Sequence, residues 1–99
     1  MLKTPSQSVT HDIHQHILSQ RGKPSDWYVG IASDTDRLFV DHNVPRENAW
    51  WIHRMCETAE IARAVEKAFL DWGCKGGGGG GDYTTKIVYA YLITTSTRE

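Results

Sequence analysis

Apolar residues recur along the chain in patterns that predict three β-strands. The segments "WYVGIA" (27–32), "AWWIHRMC" (49–56) and "KIVYAYLIT" (86–94) are rich in the aromatic and β-branched residues that favour strands. For the second segment a helix remains open. The third segment is apolar on both faces, which is typical of the central strand of a sheet.

Three other segments have the spacing of helices. They run from Thr10 to about Gln20, from Ser33 or Asp34 to about His42, and over residues 58–72. The last is the clearest, because Thr58 can cap its N-terminus and Gly73 its C-terminus. The order α-β-α-β-α-β predicts a fold of the α/β (α+β) class, with a small central sheet of about three strands flanked by helices. Residues 1–8 are expected to form a disordered tail, which leaves 9–99 as one domain.

Composition narrows the classes of function. The chain has no long apolar run and no signal-peptide layout, so we expect a cytoplasmic protein without a membrane span. Its net charge of −1 argues against a grip on nucleic acid by bulk electrostatics. Cys56 and Cys74 flank the clearest helix and would lie roughly 20 Å apart, too far for a disulfide, which predicts two free thiols.

Glu66 has an unusual position on the predicted helix 58–72. The buried stripe of this helix contains Val65 and Phe69, and Glu66 lies between Ala62 and Leu70 at the flank of that stripe. A carboxylate withdrawn from water must be paired, hydrogen-bonded or bound to a cation. The more common alternative is a glutamate at the rim, with its head in solvent or in an ion pair with an arginine.

Tyr28, Arg37 and His42 suggest chemistry on phosphate. Arginine has forked donors that suit a phosphate gaining charge, and histidine titrates near neutral pH and can move a proton. Beside Gly30, where no side chain blocks approach, Tyr28 can present its hydroxyl to a substrate. Each residue also has a structural alternative: an Arg37–Asp41 pair, a histidine near a helix end and a core tyrosine.

The run of glycines at 76–81 has two interpretations. Such a run can offer backbone N–H groups to an anion, or it can be a flexible connector. The P-loop pattern is absent, so the connector is favoured, with a loop that closes over a site as the alternative.

Taken together, "YVG" at 28–30, Arg37, His42 and a later helix with Glu66 resemble the GIY-YIG nuclease family over residues 27–72. The resemblance implies that Tyr28 accepts a proton from the attacking water, Arg37 steadies the scissile phosphate and His42 assists proton transfer. It implies further that Glu66 binds the metal, Mg²⁺ or Mn²⁺, and that the substrate is DNA. Hard cations prefer such oxygen ligands and polarise phosphate.

The first family strand would lie upstream of "YVG", where residues 8–22 have a helical pattern instead. A circular permutation would supply the strand from the other end of the chain, with "VYAYLI" paired beside "WYVGIA". Tyr89 or Tyr91 would then stand where the first family tyrosine stands. Arg37 and His42 are five residues apart, which on a regular α-helix separates them by about 140°.

The predicted function is therefore metal-dependent hydrolysis of phosphodiester bonds in DNA. The alternative is a non-catalytic module on the same scaffold that binds nucleic acid, a nucleotide or a protein. Its contacts would come from the glycine run and from the four tryptophans, Trp27, Trp50, Trp51 and Trp72. A protein partner or a homo-oligomer that buries exposed tryptophans is also compatible with the sequence.

Overall fold

The computed structural model describes residues 5–20, 23–45, 50–77, 82–95 and 97, without the side chains of Pro5, Ser6 and Arg37. Its elements are, in chain order, helix α1 (Pro5–Gln20), a 3₁₀-helix (Pro24–Asp26), strand β1 (Trp27–Ala32), a π-helix (Arg37–Asp41), strand β2 (Trp51–Met55), helix α2 (Ala59–Trp72) and strand β3 (Ile87–Leu92). The predicted order of helices and strands is confirmed, and β2 is a strand rather than a helix. The fold is α+β, with a three-stranded antiparallel sheet and two main helices.

The strand order is β1-β3-β2, and both pairings are antiparallel. All six residues of β3 are buried, as its two apolar faces predict for a central strand. The predicted neighbourhood of residues 86–94 and 27–32 is confirmed, because Tyr28 lies opposite Tyr91 and Gly30 lies opposite Tyr89.

Helices α1 and α2 cover one face of the sheet. Ile13 and Ile17 of α1 and Val65 and Phe69 of α2 pack there with the alternate strand residues, including Val29. The predicted caps of α2 are present. The Thr58 hydroxyl accepts a hydrogen bond from the Ile61 N–H at 3.1 Å, and Gly73 has a φ of 119°. Helix α1 begins at Pro5, earlier than the expected Thr10, so residues 5–8 of the predicted tail are helical; residues 1–4 lie outside the described residues.

The other face of the sheet is covered by the π-helix and the residues after it. Leu38 and Val44 pack there against Ala32, Tyr89 and Tyr91. A helix from Ser33 or Asp34 to about His42 was predicted here, and the π-helix lies within those bounds but begins later, at Arg37. The Asp34 carboxylate accepts a hydrogen bond from the Asp36 N–H at 2.9 Å, and Asn43, at a φ of 55°, follows its end.

The π-helical geometry changes the relation between positions 37 and 42. Position 37 is the first residue of the π-helix and His42 directly follows its last, and hydrogen bonds in a π-helix join residues five apart rather than four. The separation of about 140° expected for a regular α-helix therefore does not apply.

Both cysteines are free, as predicted, and the structure shows in addition that both are buried. No helix among the described residues has the length and apolar character needed to cross a membrane.

Candidate functional site

Four aromatic rings gather on the sheet face that the π-helix covers. Tyr28 comes from β1, Tyr89 and Tyr91 come from β3, and His42 follows the π-helix. The His42 Nε2 atom lies 2.9 Å from the Tyr89 hydroxyl, and its Nδ1 atom lies 2.9 Å from the Tyr91 hydroxyl. The ring of Tyr28 stacks on that of Tyr91, with centroids 5.3 Å apart, and lies 4.8 Å from the His42 ring. We call these four residues the tyrosine–histidine cluster.

The alternation of side chains along β1 and β3 explains why the tyrosines share a face. Residues two apart on a strand point to the same side, and cross-strand partners also do so. Tyr28 and Tyr91 are such partners, and Tyr89 is two residues before Tyr91. The sheet therefore needs no irregular backbone to bring the three phenols together.

His42 is buried between two hydroxyl groups. A neutral imidazole has one N–H donor and one acceptor nitrogen, so one tyrosine accepts from His42 and the other donates to it. An imidazolium would donate from both nitrogens, and hydroxyl oxygens can accept both bonds. The cluster can therefore take up a proton without losing either hydrogen bond, which is the chemistry required of a proton carrier.

Gly30 makes room for the Tyr89 ring. A Cβ atom at position 30 would collide with the hydroxyl oxygen and the adjacent ring carbon of Tyr89. The absent side chain lets the Tyr89 ring lie across β1 and places its hydroxyl beside His42. The glycine in "YVG" thus acts through Tyr89 rather than through Tyr28.

Tyr28 is the member of the cluster that is half-buried rather than buried. Among the described residues, its hydroxyl has no hydrogen-bond partner. Gly77, from the glycine run, lies beside that hydroxyl. A Cβ atom added to Gly77 would be 3.4 Å from the Tyr28 hydroxyl oxygen. Of the four rings in the cluster, Tyr28 is therefore the one with solvent-exposed surface.

The start of the glycine run extends the sheet beyond β1. Lys75 donates to the Trp27 carbonyl at 2.9 Å and accepts from the Val29 N–H at 2.8 Å. Residues 75–77 are therefore held against the edge of β1, and of the run itself residues 78–81 lie outside the described residues. Both interpretations of the run, as an anion-binding or closing loop and as a flexible connector, therefore stay predictions.

Glu66 is 4% exposed, which makes it the single buried carboxylate among the described residues. The alternative of a rim glutamate with its head in solvent is therefore wrong, whereas the ion-pair alternative stays open. Glu66 follows Val65 on α2, which packs against β1 and β3 in the helix layer. Every buried polar side-chain atom of the described residues has a hydrogen-bond partner, so this carboxylate is accommodated rather than strained.

The structure thus brings together Tyr28, His42 and Tyr89 and adds Tyr91, which the sequence offered as an alternative to Tyr89. Glu66 comes from the helix layer on the opposite side of the sheet. Position 37 is the first residue of the π-helix, and the Arg37 side chain lies outside the described part of the structure.

One expectation of the binding-module alternative is wrong. The Trp27 side chain is fully buried in the helix-side core and offers no surface to a partner. Trp72 packs edge-on against His14 of α1, with ring centroids 4.7 Å apart. A contact among the rings of Phe39, Trp51 and His53 was not predicted from the sequence. Strand alternation alone would have placed Trp51 and His53 on the same face, because they are two residues apart on β2.

Comparisons with protein-family models, with curated proteins and with solved structures found no match to this chain. The described residues contain no group of three or more histidine, cysteine, aspartate or glutamate side chains that could hold a metal ion. The resemblance to the GIY-YIG family therefore rests on the residues themselves and on the pairing of β1 with β3.

Proposed function

We propose that this domain hydrolyses phosphodiester bonds in DNA with the help of a divalent metal ion, as a permuted relative of the GIY-YIG nucleases. The observation that carries the proposal is the tyrosine–histidine cluster on the paired strands β1 and β3. A buried histidine hydrogen-bonded to two phenols is held in one geometry, and it lies beside a third phenol, Tyr28, that is half-buried.

Within this proposal, Tyr28 contacts the attacking water, because its side chain is half-buried rather than buried and its hydroxyl has no hydrogen-bond partner among the described residues. His42 holds or moves a proton through Tyr89 and Tyr91, since both of its ring nitrogens are bonded to their hydroxyls. Of these two, Tyr91 has the better position for the first family tyrosine, because it lies directly opposite Tyr28. Tyr89 then supports His42 from the other side.

Glu66 is the residue that would hold Mg²⁺ or Mn²⁺. Magnesium retains several waters and needs only one or two carboxylates, so the lack of a larger group of ligands among the described residues is compatible with it. A carboxylate oxygen is the kind of donor that a hard cation prefers. When bound, the metal would favour ionisation of a water and polarise a phosphate oxygen that reached it. Because α2 covers the sheet face opposite the tyrosine–histidine cluster, a phosphate at Tyr28 would have to meet that ion around the edge of β1.

The experiment that tests this function is cleavage of labelled DNA substrates with Mg²⁺ or Mn²⁺ by the wild type and by Tyr28→Phe. We expect the variant to lose about 100-fold or more of the activity, as is usual when a proton-transfer group is removed. Its fold should persist, because the lost hydroxyl makes no described hydrogen bond. Tyr83→Phe removes the hydroxyl of a tyrosine that is 82% exposed and serves as the matched control.

Two results would reject the proposal. One is wild-type protein that cleaves neither single-stranded, branched nor duplex DNA with either metal. The other is Tyr28→Phe protein as active as Tyr83→Phe protein. In the first case the binding module becomes the better description of the domain.

A further inference from the structure

Phe39, Trp51 and His53 form a second group of rings, which we call the aromatic platform. The rings of Trp51 and His53 are stacked at 7° with centroids 5.5 Å apart. Phe39, from the π-helix, meets the Trp51 ring edge-on, at 4.8 Å and 90°. All three side chains are half-buried, so their rings are fixed by packing and still partly open to solvent.

The platform adjoins the tyrosine–histidine cluster directly. Trp51 is the cross-strand partner of Tyr91, and His53 is the partner of Tyr89. Neighbouring strands lie about 4.8 Å apart, so the platform lies on the same sheet face as the cluster and directly beside its buried members Tyr89 and Tyr91. At its border Val40 and Met55 are 63% and 69% exposed, which extends the apolar surface beyond the rings.

The charges near the platform determine which ligand suits it. The net charge of the chain is −1, and the segment that supplies Phe39 carries Asp34, Asp36 and Asp41 against one cation, Arg37. Affinity for an intact duplex comes largely from several cations that neutralise phosphates, and this acidic segment does not supply them. Aromatic side chains instead bind bases by stacking, which tolerates any sequence because every base has a π-face.

We propose that the aromatic platform stacks unpaired bases of a DNA strand whose phosphate lies at the tyrosine–histidine cluster. This inference rests on the proposed function and names its substrate class: single strands, flaps or bubbles rather than intact duplex. Bases can reach the rings only where they are unpaired, because in a duplex their faces are already stacked on one another.

The test measures binding without cleavage. The Tyr28→Phe protein, free of metal, is titrated against fluorescein-labelled oligothymidylate and against the duplex of the same strand with oligoadenylate. We expect the single strand to bind at least about ten-fold more tightly than the duplex, with a shallow dependence on salt. Trp51→Leu in this background should weaken single-strand binding by about ten-fold, whereas Trp51→Phe should retain most of it.

Two further measurements keep the result interpretable. Trp72→Leu makes the same change in the helix layer and should leave binding unaltered once circular dichroism shows a folded protein. In NMR spectra of the unsubstituted protein, oligothymidylate should shift the Trp51 indole and His53 ring signals. This readout does not depend on how well a Trp51 variant folds.

Equal affinity for duplex and single strand, an unchanged affinity in Trp51→Leu, or NMR shifts confined to other residues would each overturn the platform. Failure of the proposed function would look different. If the protein binds single strands through Trp51 but cleaves no DNA, the proposed role of the platform stands and the proposed nuclease function is rejected. If the protein cleaves duplex as fast as single strands, with or without Trp51, the proposed nuclease function stands and the proposed role of the platform is rejected.

Discussion

A methyl group at position 30 would disturb the ring that supports His42. Because the new Cβ would overlap Tyr89, Gly30→Ala must move the Tyr89 ring or β1 and break the 2.9 Å contact with His42. We expect a loss of about 1–3 kcal/mol in the free energy of unfolding, the usual range for overpacking. Urea denaturation measures this loss, and NMR of the His42 ring reports whether the hydrogen bond persists.

A double-mutant cycle identifies the cause. Tyr89→Leu shortens the side chain that the new methyl group would meet, so Gly30→Ala should cost less in that background than in the wild type. If the two costs simply add, the contact between positions 30 and 89 is not the source of the destabilisation.

Burial raises the pKa of the Cys74 thiol from 9.0 to about 11, and burial also raises the pKa of Cys56. Below pH 9 the Cys74 thiol is protonated in both folded and unfolded chains, so its contribution to stability is fully present. Between pH 9 and about 11 the unfolded chain ionises while the folded one does not, and this contribution is lost.

Two measurements check the thiols. Denaturation from pH 8 to 11 should show a stability decline that is shallower in Cys74→Ala than in the wild type. At pH 8 a disulfide reagent should label the folded protein only as fast as it opens, because a buried thiol provides little thiolate. Rapid labelling of native protein, or identical pH slopes in the two proteins, would contradict the assignment.

At the scale of single residues, helical and strand spacing predicted which positions share a face. It placed Glu66 at the flank of the apolar stripe and Tyr28 beside Gly30. It did not predict that Glu66 would be buried, because a flank position is covered or exposed according to what packs beside the helix. Nor did it predict that Gly30 serves Tyr89, since that contact depends on strand register.

Among the elements, the short extension of the sheet at residues 75–77 gives the sharpest prediction. A Cβ at Gly76 would lie 2.5 Å from the Val29 carbonyl oxygen and 2.7 Å from a Leu70 methyl group, so Gly76→Ala must push the segment off β1. We expect a loss of about 1–3 kcal/mol and faster amide hydrogen exchange at Val29 and Lys75.

Gly77→Ala is the matched control for this prediction. Its Cβ would make an ordinary contact with the Tyr28 hydroxyl at 3.4 Å, so stability should change little. Activity should fall, however, because the methyl group narrows the approach to that hydroxyl. Equal stability loss in the two variants would show that residues 75–77 are not held in the way described.

The elements that carry their own end signals were the best predicted. The sequence of helix α2 is flanked by a threonine suited to its N-cap and a glycine suited to its C-cap, and the observed ends of the helix agree with both. The π-helix could not be predicted, because hydrogen bonding between residues five apart has no sequence signature comparable to a cap. In the structure, Leu38 of the π-helix packs onto the sheet, and Asn43, which follows the π-helix, has a left-handed backbone conformation.

For the whole molecule, the sequence predicted the fold class and the central strand but not which layer covers which face. The apolar character of β3 on both sides required two layers, and the structure supplies helices on one side and the π-helix on the other. This division depends on connections between elements, which hydrophobic periodicity does not encode.

Metal binding is a property of the whole molecule, because an ion that binds only the folded state raises its stability. At ten times the dissociation constant the gain is about 1.4 kcal/mol, which for a domain of this size raises the Tm by about 6–10 °C. We expect Mg²⁺ to produce such a rise in the wild type at constant ionic strength. Glu66→Gln should abolish it, because the amide has a similar volume but no charge.

Glu60→Gln provides the comparison for that experiment, because it removes an exposed carboxylate from the first turn of the same helix. Its Tm should rise with Mg²⁺ as in the wild type. A rise that survives in Glu66→Gln would place the ion elsewhere, and no rise in the wild type would remove the metal role of Glu66. Since the readout is thermal, the outcome is independent of which DNA the domain cleaves and of whether the correct substrate has been found.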